Sequence, residues 1–289
     1  MIRPFIGRGE RRSRRSRAVV TGAGSGIGRA FALELARRGG QVVCADIDGA
    51  RATETVSIIK ADGGRALAVP CDVSERQQVE ALAVEAEVWF AAPPTLVINN
   101  AGVGIGGAVV GEIPLDDWEW ALGVNLWGVV HGCHVFTPLL RAAGGGGIIN
   151  VGSTASFAAA PLMGPYNVSK AAVLALSETL SAELAGTGIA VSVLCPTFVK
   201  TNVARDGRIS GPSADLAANL MRWTGISADR VARTTLDAHD HGRLYVVPQI
   251  DARLIWQLKR HAPTAYTRAA GQLNRLSRLS DPSTTTTGN

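Results

Sequence analysis

The sequence predicts an α/β protein: one doubly wound domain built on a seven-stranded parallel sheet with helices on both faces. Three observations predict it. From Arg17 onward, short β-type apolar runs alternate with longer segments of helical pattern. A glycine-rich turn, Thr21 to Gly28, separates the first run from the first helix, and the second run ends on an acid, Asp46. The connections are short, and no internal repeat on the order of 20 to 50 residues competes with this reading.

Each element follows from the pattern. The first strand reads Ala18 to Thr21, and its helix, Gly26 to Arg38, is stopped by Gly39 and Gly40. The second strand covers Gln41 to Ala45, followed by a helix over Gly49 to Ala61 that closes at Gly63 and Gly64. The third strand is Ala66 to Cys71. Ser74 with Gln77 forms a capping-box pattern for the next helix, which ends near Pro93. Thr95 to Ile98 is the fourth strand. Asp116 to Leu140 reads as one long helix, entered after Pro114 and left at Gly144 to Gly147. Strand Ile148 to Val151, helix Tyr166 to Leu184 and strand Ile189 to Leu194 follow, then an irregular stretch with a helix candidate at Ala214 to Trp223. Leu244 to Val247 is the last strand. The flanks differ: residues 1–17 read as a disordered Arg-rich leader, 18–250 as the domain, 251–280 as a basic amphipathic helical extension, and 281–289 as a polar, disordered tail.

Composition narrows the function classes. With 46% hydrophobic and 18% charged residues in 289, the chain is neither disordered nor a small disulfide scaffold. The net charge of +5 is carried by the ends: the leader holds +6 and residues 251–289 hold +4, leaving the body at −5, so no basic nucleic-acid groove is expected. Cys44, Cys71, Cys133 and Cys195 sit in apolar runs without CxxC spacing or a His cluster, so buried thiols are expected and no metal. No apolar run reaches the roughly 18 residues of a membrane span, and the leader lacks the apolar region of a secretory signal, so a cytoplasmic protein is expected.

The glycine turn lets backbone approach a pyrophosphate while the helix amino end presents unpaired N–H groups to the anion; glycines also serve tight turns alone. Asp46 adds weight, because a carboxylate at the end of the second strand can accept hydrogen bonds from an adenosine ribose diol, against the plainer role of a helix-capping or turn Asp. The same carboxylate repels a 2′-phosphate. No cation occupies Ser25 or Ile47, so NAD is favoured over NADP; Arg51 lies in the following helix. Tyr166 and Lys170, four apart, share one helix face, where an ammonium favours the phenolate of a phenol whose ordinary pKa is about 10.

Taken together, the glycine turn, Asp72, Asn99-Asn100-Ala101-Gly102, Asn125, Ser153 and the Tyr166/Lys170 pair resemble the short-chain dehydrogenases/reductases, over about Ala18 to Pro248. The resemblance implies a Rossmann fold that holds cofactor and substrate in one domain. It implies Tyr166 as acid/base, Lys170 as the group that lowers its pKa and binds the nicotinamide ribose, Ser153 as the holder of the substrate oxygen, and Asn125 as support for a water relay. Gly152 and Ser156 are rivals to Ser153, which lies 13 residues before Tyr166, as in the family. Cofactor contacts are implied at Gly22, Ser25, Gly26, Ile27, Gly28, Asp46, Asp72, Val73, Asn99, Ala101, Gly102, Tyr166, Lys170, Pro196 and Thr201. Asp72 as a helix-start acid needs no ligand, and Asn99 reads as more structural than catalytic. One departure stands out: after the sixth strand the family usually has Pro-Gly, whereas this chain has Pro196-Thr197, so Thr197 is either strained or narrows the pocket with Phe198.

Phe157, Met163, Phe198, Val203 and Met221 fall where the family covers its catalytic edge, and their apolar character suits a lipophilic alcohol or ketone, steroid-like or fatty. The resemblance also implies a homodimer or homotetramer. Leu254, Ile255, Trp256 and Leu258 open the basic extension, which can cap the domain, join a neighbouring subunit or lie on an anionic membrane. The expected function is NAD-dependent interconversion of a secondary alcohol and a ketone. The alternatives are an NADP-dependent ketone or oxoacyl reductase and, in another class, a non-catalytic nucleotide-sensing or scaffold protein.

Overall fold

A computed structural model describes residues 11–199, 207–209 and 225–279. Thr201, Val203, Met221, the helix candidate at Ala214 to Trp223 and the tail 281–289 lie outside the described residues. The elements are β1 Arg17–Thr21, α1 Gly26–Arg37, β2 Gln41–Asp46, α2 Gly49–Ala61, β3 Arg65–Pro70, α3 Arg76–Phe90 and β4 Leu96–Asn99. A short β5, Ile105–Gly106, precedes α4 Leu115–Leu122, α5 Gly128–Ala142, β6 Gly146–Val151, α6 Ala155–Ala158 and α7 Gly164–Glu183. Then come β7 Ile189–Leu194, β8 Arg208–Ile209, α8 Ala228–Asp240, β9 Tyr245–Val246, α9 Ile250–His261 and α10 Pro263–Leu279.

Seven strands pair in parallel in the order β3-β2-β1-β4-β6-β7-β9, so the chain order reverses between β1 and β4. That reversal opens a crevice at the carboxyl ends of the strands, where doubly wound sheets bind ligands. Alternate side chains of each strand serve opposite faces. Ala18, Val20, Leu96 and Ile98 pack under α1, α2 and α8, whereas Val19, Val97 and Ile148 pack under α3, α5 and α7.

Four expectations need correction. The long helix over Asp116 to Leu140 is broken by a π-helical turn at Gly123–Trp127, because Asn125 turns its side chain inward to bond backbone outside the helix. The Ser74/Gln77 capping box does not form: α3 starts at Arg76, Ser74 Oγ donates to Asp72 Oδ1 at 2.7 Å, and it is Gln78 Oε1 that accepts from Asp72 N at 2.9 Å. Helix α8 has no counterpart in the sequence reading. Its buried face mixes Val231, Ala232 and Leu236 with Thr235 and His239 in an otherwise polar segment, so the few apolar residues that mark the stripe are easily passed over. The leader is not disordered from Arg11 onward. Ser13 is buried and donates to both Asp240 oxygens, at 2.8 and 2.6 Å, and Arg38 Nη1 donates to Ser13 Oγ at 2.8 Å. Composition could not foresee that anchor, since its acceptor lies 227 residues away.

Candidate active site

The glycine turn is held in place by the neighbouring strand. Asn100 N and Ala101 N donate to Thr21 Oγ1 at 3.0 and 3.1 Å, and Asn100 Nδ2 donates to Thr21 O at 2.9 Å. Gly22 adopts φ +63°, and a Cβ on Gly28 would lie 2.0 Å from Gly22 O, so neither position accepts a side chain. Helix α1 begins after an extended Ser25 that makes no side-chain cap. Its first-turn N–H groups therefore face the crevice without a side-chain acceptor, which fits the phosphates of a dinucleotide.

Asp46 closes this cradle from the next strand. Its Oδ2 accepts from Gly24 N at 2.8 Å and its Oδ1 from Asp48 N at 3.0 Å. The helix-capping role considered for Asp46 belongs to Asp48, whose carboxylate accepts from Ala50 N and Arg51 N, while the turn role considered for Asp46 is present in its bond from Asp48 N. Asp72 sits at the end of the third strand and bonds Ser74 through N and Oγ. Val73 is buried, with its side chain against Gly128 of α5. Asn99 is also buried and donates to Asn150 Oδ1 at 2.8 Å.

Helix α7 carries Tyr166 and Lys170 one turn apart, with the Lys170 ammonium 5.9 Å from the tyrosine ring centre. Ser153 acts on the Tyr166 phenol, favouring its ionised form. Ser153 follows β6, its Oγ accepting from Ala155 N at 3.1 Å and its own N–H donating to Ser156 Oγ at 3.2 Å. Lys170 Nζ donates to Val151 O at 3.0 Å and passes beside Gly102, where a Cβ would stand 3.3 Å from it. Asn125 Oδ1 accepts from Val103 N at 2.8 Å, and its Nδ2 donates to Val103 O at 2.9 Å and Ser169 Oγ at 3.3 Å. The Asn125 amide is thus engaged in holding the strand segment after Gly102.

Burial dominates the electrostatics. Desolvation lowers Lys170 to about 8. Desolvation pushes Tyr166 above its ordinary value, more than Ser153 pulls it down. The expected lowering of the phenol by Lys170 is therefore not met by the chain itself. The ammonium is weakened by its own burial and spends a donor on Val151. Cys195, pushed up to about 12 by burial, is a neutral thiol beside Gly152, where a Cβ would stand 3.3 Å from its sulfur. Neutral Tyr166, a weakly held Lys170 proton and an oriented Ser153 hydroxyl together make a site that can pass a proton to or from a substrate oxygen.

The apolar candidates divide. Phe157 stacks on Trp256 of α9, centroids 5.9 Å apart. Met163 caps α7, and Phe198 is partly exposed after β7. Thr197 is absent from the residues with left-handed backbone, so the family's usual Gly is replaced without strain there. Left-handed angles fall instead at Ala159 and Leu162, in the loop between Ser153 and Tyr166. Sequence reasoning missed Thr21, Asn100 and Ser156 as individual supports. Their only sequence signal is adjacency to the motifs they brace. All four cysteines are free and buried, and among the described residues no cluster of His, Cys, Asp and Glu could hold a metal.

The family model for short chain dehydrogenase matches residues 16–209. "Probable oxidoreductase EphD" of Mycobacterium tuberculosis (strain ATCC 25618 / H37Rv) is 40% identical over 197 residues, which are 68% of this chain and 33% of that protein; the chain spans about a third of its length. The 1-deoxy-11-beta-hydroxypentalenate dehydrogenase of Streptomyces exfoliatus is 36% identical over 239 residues, 82% of this chain and 84% of the relative. A crystal structure of a short chain dehydrogenase/reductase from Burkholderia phymatum in complex with NAD superposes with a TM-score of 0.80 at 36% identity, covering 84% of this chain and 92% of that one.

Proposed function

The chain belongs to the short chain dehydrogenase family, and on that premise we propose that it interconverts a lipophilic secondary alcohol and its ketone with NAD as hydride carrier. The observation that carries this reading is the Tyr166/Lys170 pair, one helical turn apart on α7, with Lys170 Nζ bonded to Val151 O at the end of the strand that leads to Ser153. Oxidised nicotinamide, when bound, supplies the hydride acceptor and a positive charge. Tyr166 takes the proton of the alcohol hydroxyl in one direction and returns it to the ketone oxygen in the other. Ser153 holds that oxygen by hydrogen bonding. Lys170 provides the nearby cation, and Asn125 fixes the segment between Gly102 and the helix turn.

The cofactor preference rests on Asp46, which holds a carboxylate where a 2′-phosphate would have to lie. The nearest compensating cation from the next helix, Arg51, is paired with Asp48 at 3.1 Å. Gly22, Ser25, Gly26, Ile27 and Gly28 supply the phosphate cradle, Asp72, Ala101 and Gly102 border it, and Pro196 meets the cofactor from the Ser153 side of the crevice, where it accepts from Thr154 N. The lipophilic substrate rests on Met163 and Phe198 at the crevice. A relative named for a hydroxylated compound and a fold neighbour bound to NAD point the same way.

We also propose a cytoplasmic homo-oligomer joined through α4, α5 and α7, where Trp127 and Val168 stay half-exposed. No helix among the described residues is long and apolar enough to cross a membrane. A screen of lipophilic secondary alcohols with NAD, watching reduced nicotinamide appear, tests the central reading; turnover is expected. NADPH binding tighter than NADH would instead favour an NADP-dependent ketone reductase.

A further inference from the structure

The site is walled by the chain after β6, which carries Ser153, and the chain after β7, which carries Phe198. The two walls touch directly, Thr154 N donating to Pro196 O at 2.8 Å. Both are gripped from behind by α9, a helix that lies beyond the 16–209 match. We infer that α9 is a positioning element of this active site, with Thr197 as its docking point; the inference rests on the oxidoreductase reading above.

Gln249, the residue that precedes α9, is almost fully buried. Its Oε1 accepts from Thr197 N at 3.2 Å and its Nε2 donates to Phe198 O at 3.0 Å. One side-chain amide thereby pairs with main chain as a neighbouring strand would, fixing the backbone regardless of which side chains project from it. Phe198 O also accepts from Ile226 N at 3.3 Å, and Val199 bridges to Ile226. Thr197 Oγ1 donates to Asp251 Oδ1 at 3.3 Å. A glycine at this position, the usual residue of the family, could not make that bond. Thr197 and the helix beyond the matched segment are then two halves of one contact.

The other wall is held by rings and small apolar groups. Trp256 stacks on Phe157 and meets Tyr245 with centroids 5.0 Å apart. Ala252 is fully buried in a cluster with Val193, Cys195 and Val247. Cys195 Sγ and Ser156 Oγ both flank Gly152 at the start of the Ser153 loop, 3.3 and 3.1 Å from where a Cβ would stand. Helix α9 thus sets the spacing between the Ser153 hydroxyl and the Phe198 wall, touching neither the reacting atoms nor the adenosine cradle.

The test uses the full chain with Gln249→Ala, Gln249→Glu, Thr197→Gly, Thr197→Ser, Trp256→Ala and Trp256→Phe. Amide hydrogen exchange at Thr197 reads the grip itself, and kcat/KM for the best alcohol reads its consequence. Gln249→Ala should speed Thr197 exchange about 10-fold or more, because its acceptor is lost. It should lower kcat/KM about 10- to 100-fold, the scale of a small misplacement of reacting groups. The NADH dissociation constant should stay within roughly twofold, as the adenosine half binds elsewhere. Gln249→Glu, which keeps an acceptor and loses the donor, should be intermediate. Thr197→Ser and Trp256→Phe should restore most of what Thr197→Gly and Trp256→Ala lose, and these pairs carry the test if Gln249→Ala does not fold.

Unchanged Thr197 exchange in Gln249→Ala, or full kcat/KM in the variants of an active wild type, would overturn the inference. So would a loss of NADH binding in proportion to activity, which marks general loosening. A wild type that turns over no alcohol or ketone defeats the oxidoreductase reading instead, and the exchange result still decides whether α9 holds the wall.

Discussion

Lys170 Nζ donates to the carbonyl of Val151 at 3.0 Å, joining the helix that carries Tyr166 to the last residue of the strand that leads to Ser153. The bond crosses 19 residues of sequence and sets the height of the ammonium below the phenol ring. A charge so placed is buried, and its pKa falls to about 8 through desolvation. The consequence is a lysine that loses its proton near the pH where the tyrosine must still accept one.

Tyr166→Phe should keep NADH binding and lose turnover by several orders of magnitude, measured by fluorescence titration and steady-state rates. Lys170→Met should cost both turnover and nicotinamide-side affinity. In the wild type, alcohol oxidation should rise with pH, because burial holds Tyr166 protonated at neutrality, and ketone reduction should fall over the same range. Identical pH profiles for the two directions would contradict Tyr166 as the proton carrier.

Asp46→Ala removes the carboxylate that accepts from Gly24 N and, in the proposed complex, from the ribose. Hydrogen bonds to a charged group contribute about 1.5–3 kcal/mol each, so the preference for NAD over NADP should shrink about 10- to 100-fold. Comparing kcat/KM for the two cofactors checks it. An unchanged ratio would remove Asp46 from the role.

Asn125→Leu keeps volume and deletes both bonds to Val103. Leaving a backbone donor and acceptor unpaired should cost about 1–3 kcal/mol in urea unfolding, with a loss of turnover alongside. Full stability in Asn125→Leu would show that the π-turn owes nothing to this side chain.

His239 gives the fold a pH signature remote from the site. It is fully buried, with Nδ1 2.8 Å from Ser192 Oγ, whose own proton goes to Arg243 O. Burial, helped by the Arg12 charge, lowers its pKa from 6.5 to about 3. The folded state therefore refuses a proton that the unfolded chain accepts. Its contribution is complete above pH 6.5 and is lost as pH falls from there toward 3. Between pH 7 and 5 the wild type should lose about 2 kcal/mol more than His239→Gln. Parallel stability curves for the two proteins would refute this.

Helices α9 and α10 expose Ile250, Leu254, Leu258 and Leu273 among basic side chains. If that surface meets anionic lipid, the full chain should co-sediment with phosphatidylserine vesicles and a chain ending at Pro248 should not. Equal recovery dismisses the membrane contact, and a change in oligomeric state on truncation would assign the surface to a second subunit.

What the sequence determined by itself is local. Strand and helix periods reproduce β2, α2 and β7 to within a residue, because each strand's alternation and each helix's stripe are written in consecutive positions. The glycine turn, Asp46 and the Tyr166/Lys170 spacing were legible for the same reason: short-range geometry fixes which groups share a turn or a helix face. The tertiary structure alone decided what depends on distant partners. Ser13 finds Asp240, Asn125 bends its helix toward Val103, Phe157 gives its ring to Trp256, and Thr197 is received by Gln249 and Asp251. Protonation belongs to that second group as well, since the tyrosine and lysine answer to burial, a property of the whole packed crevice that no spacing along the chain encodes.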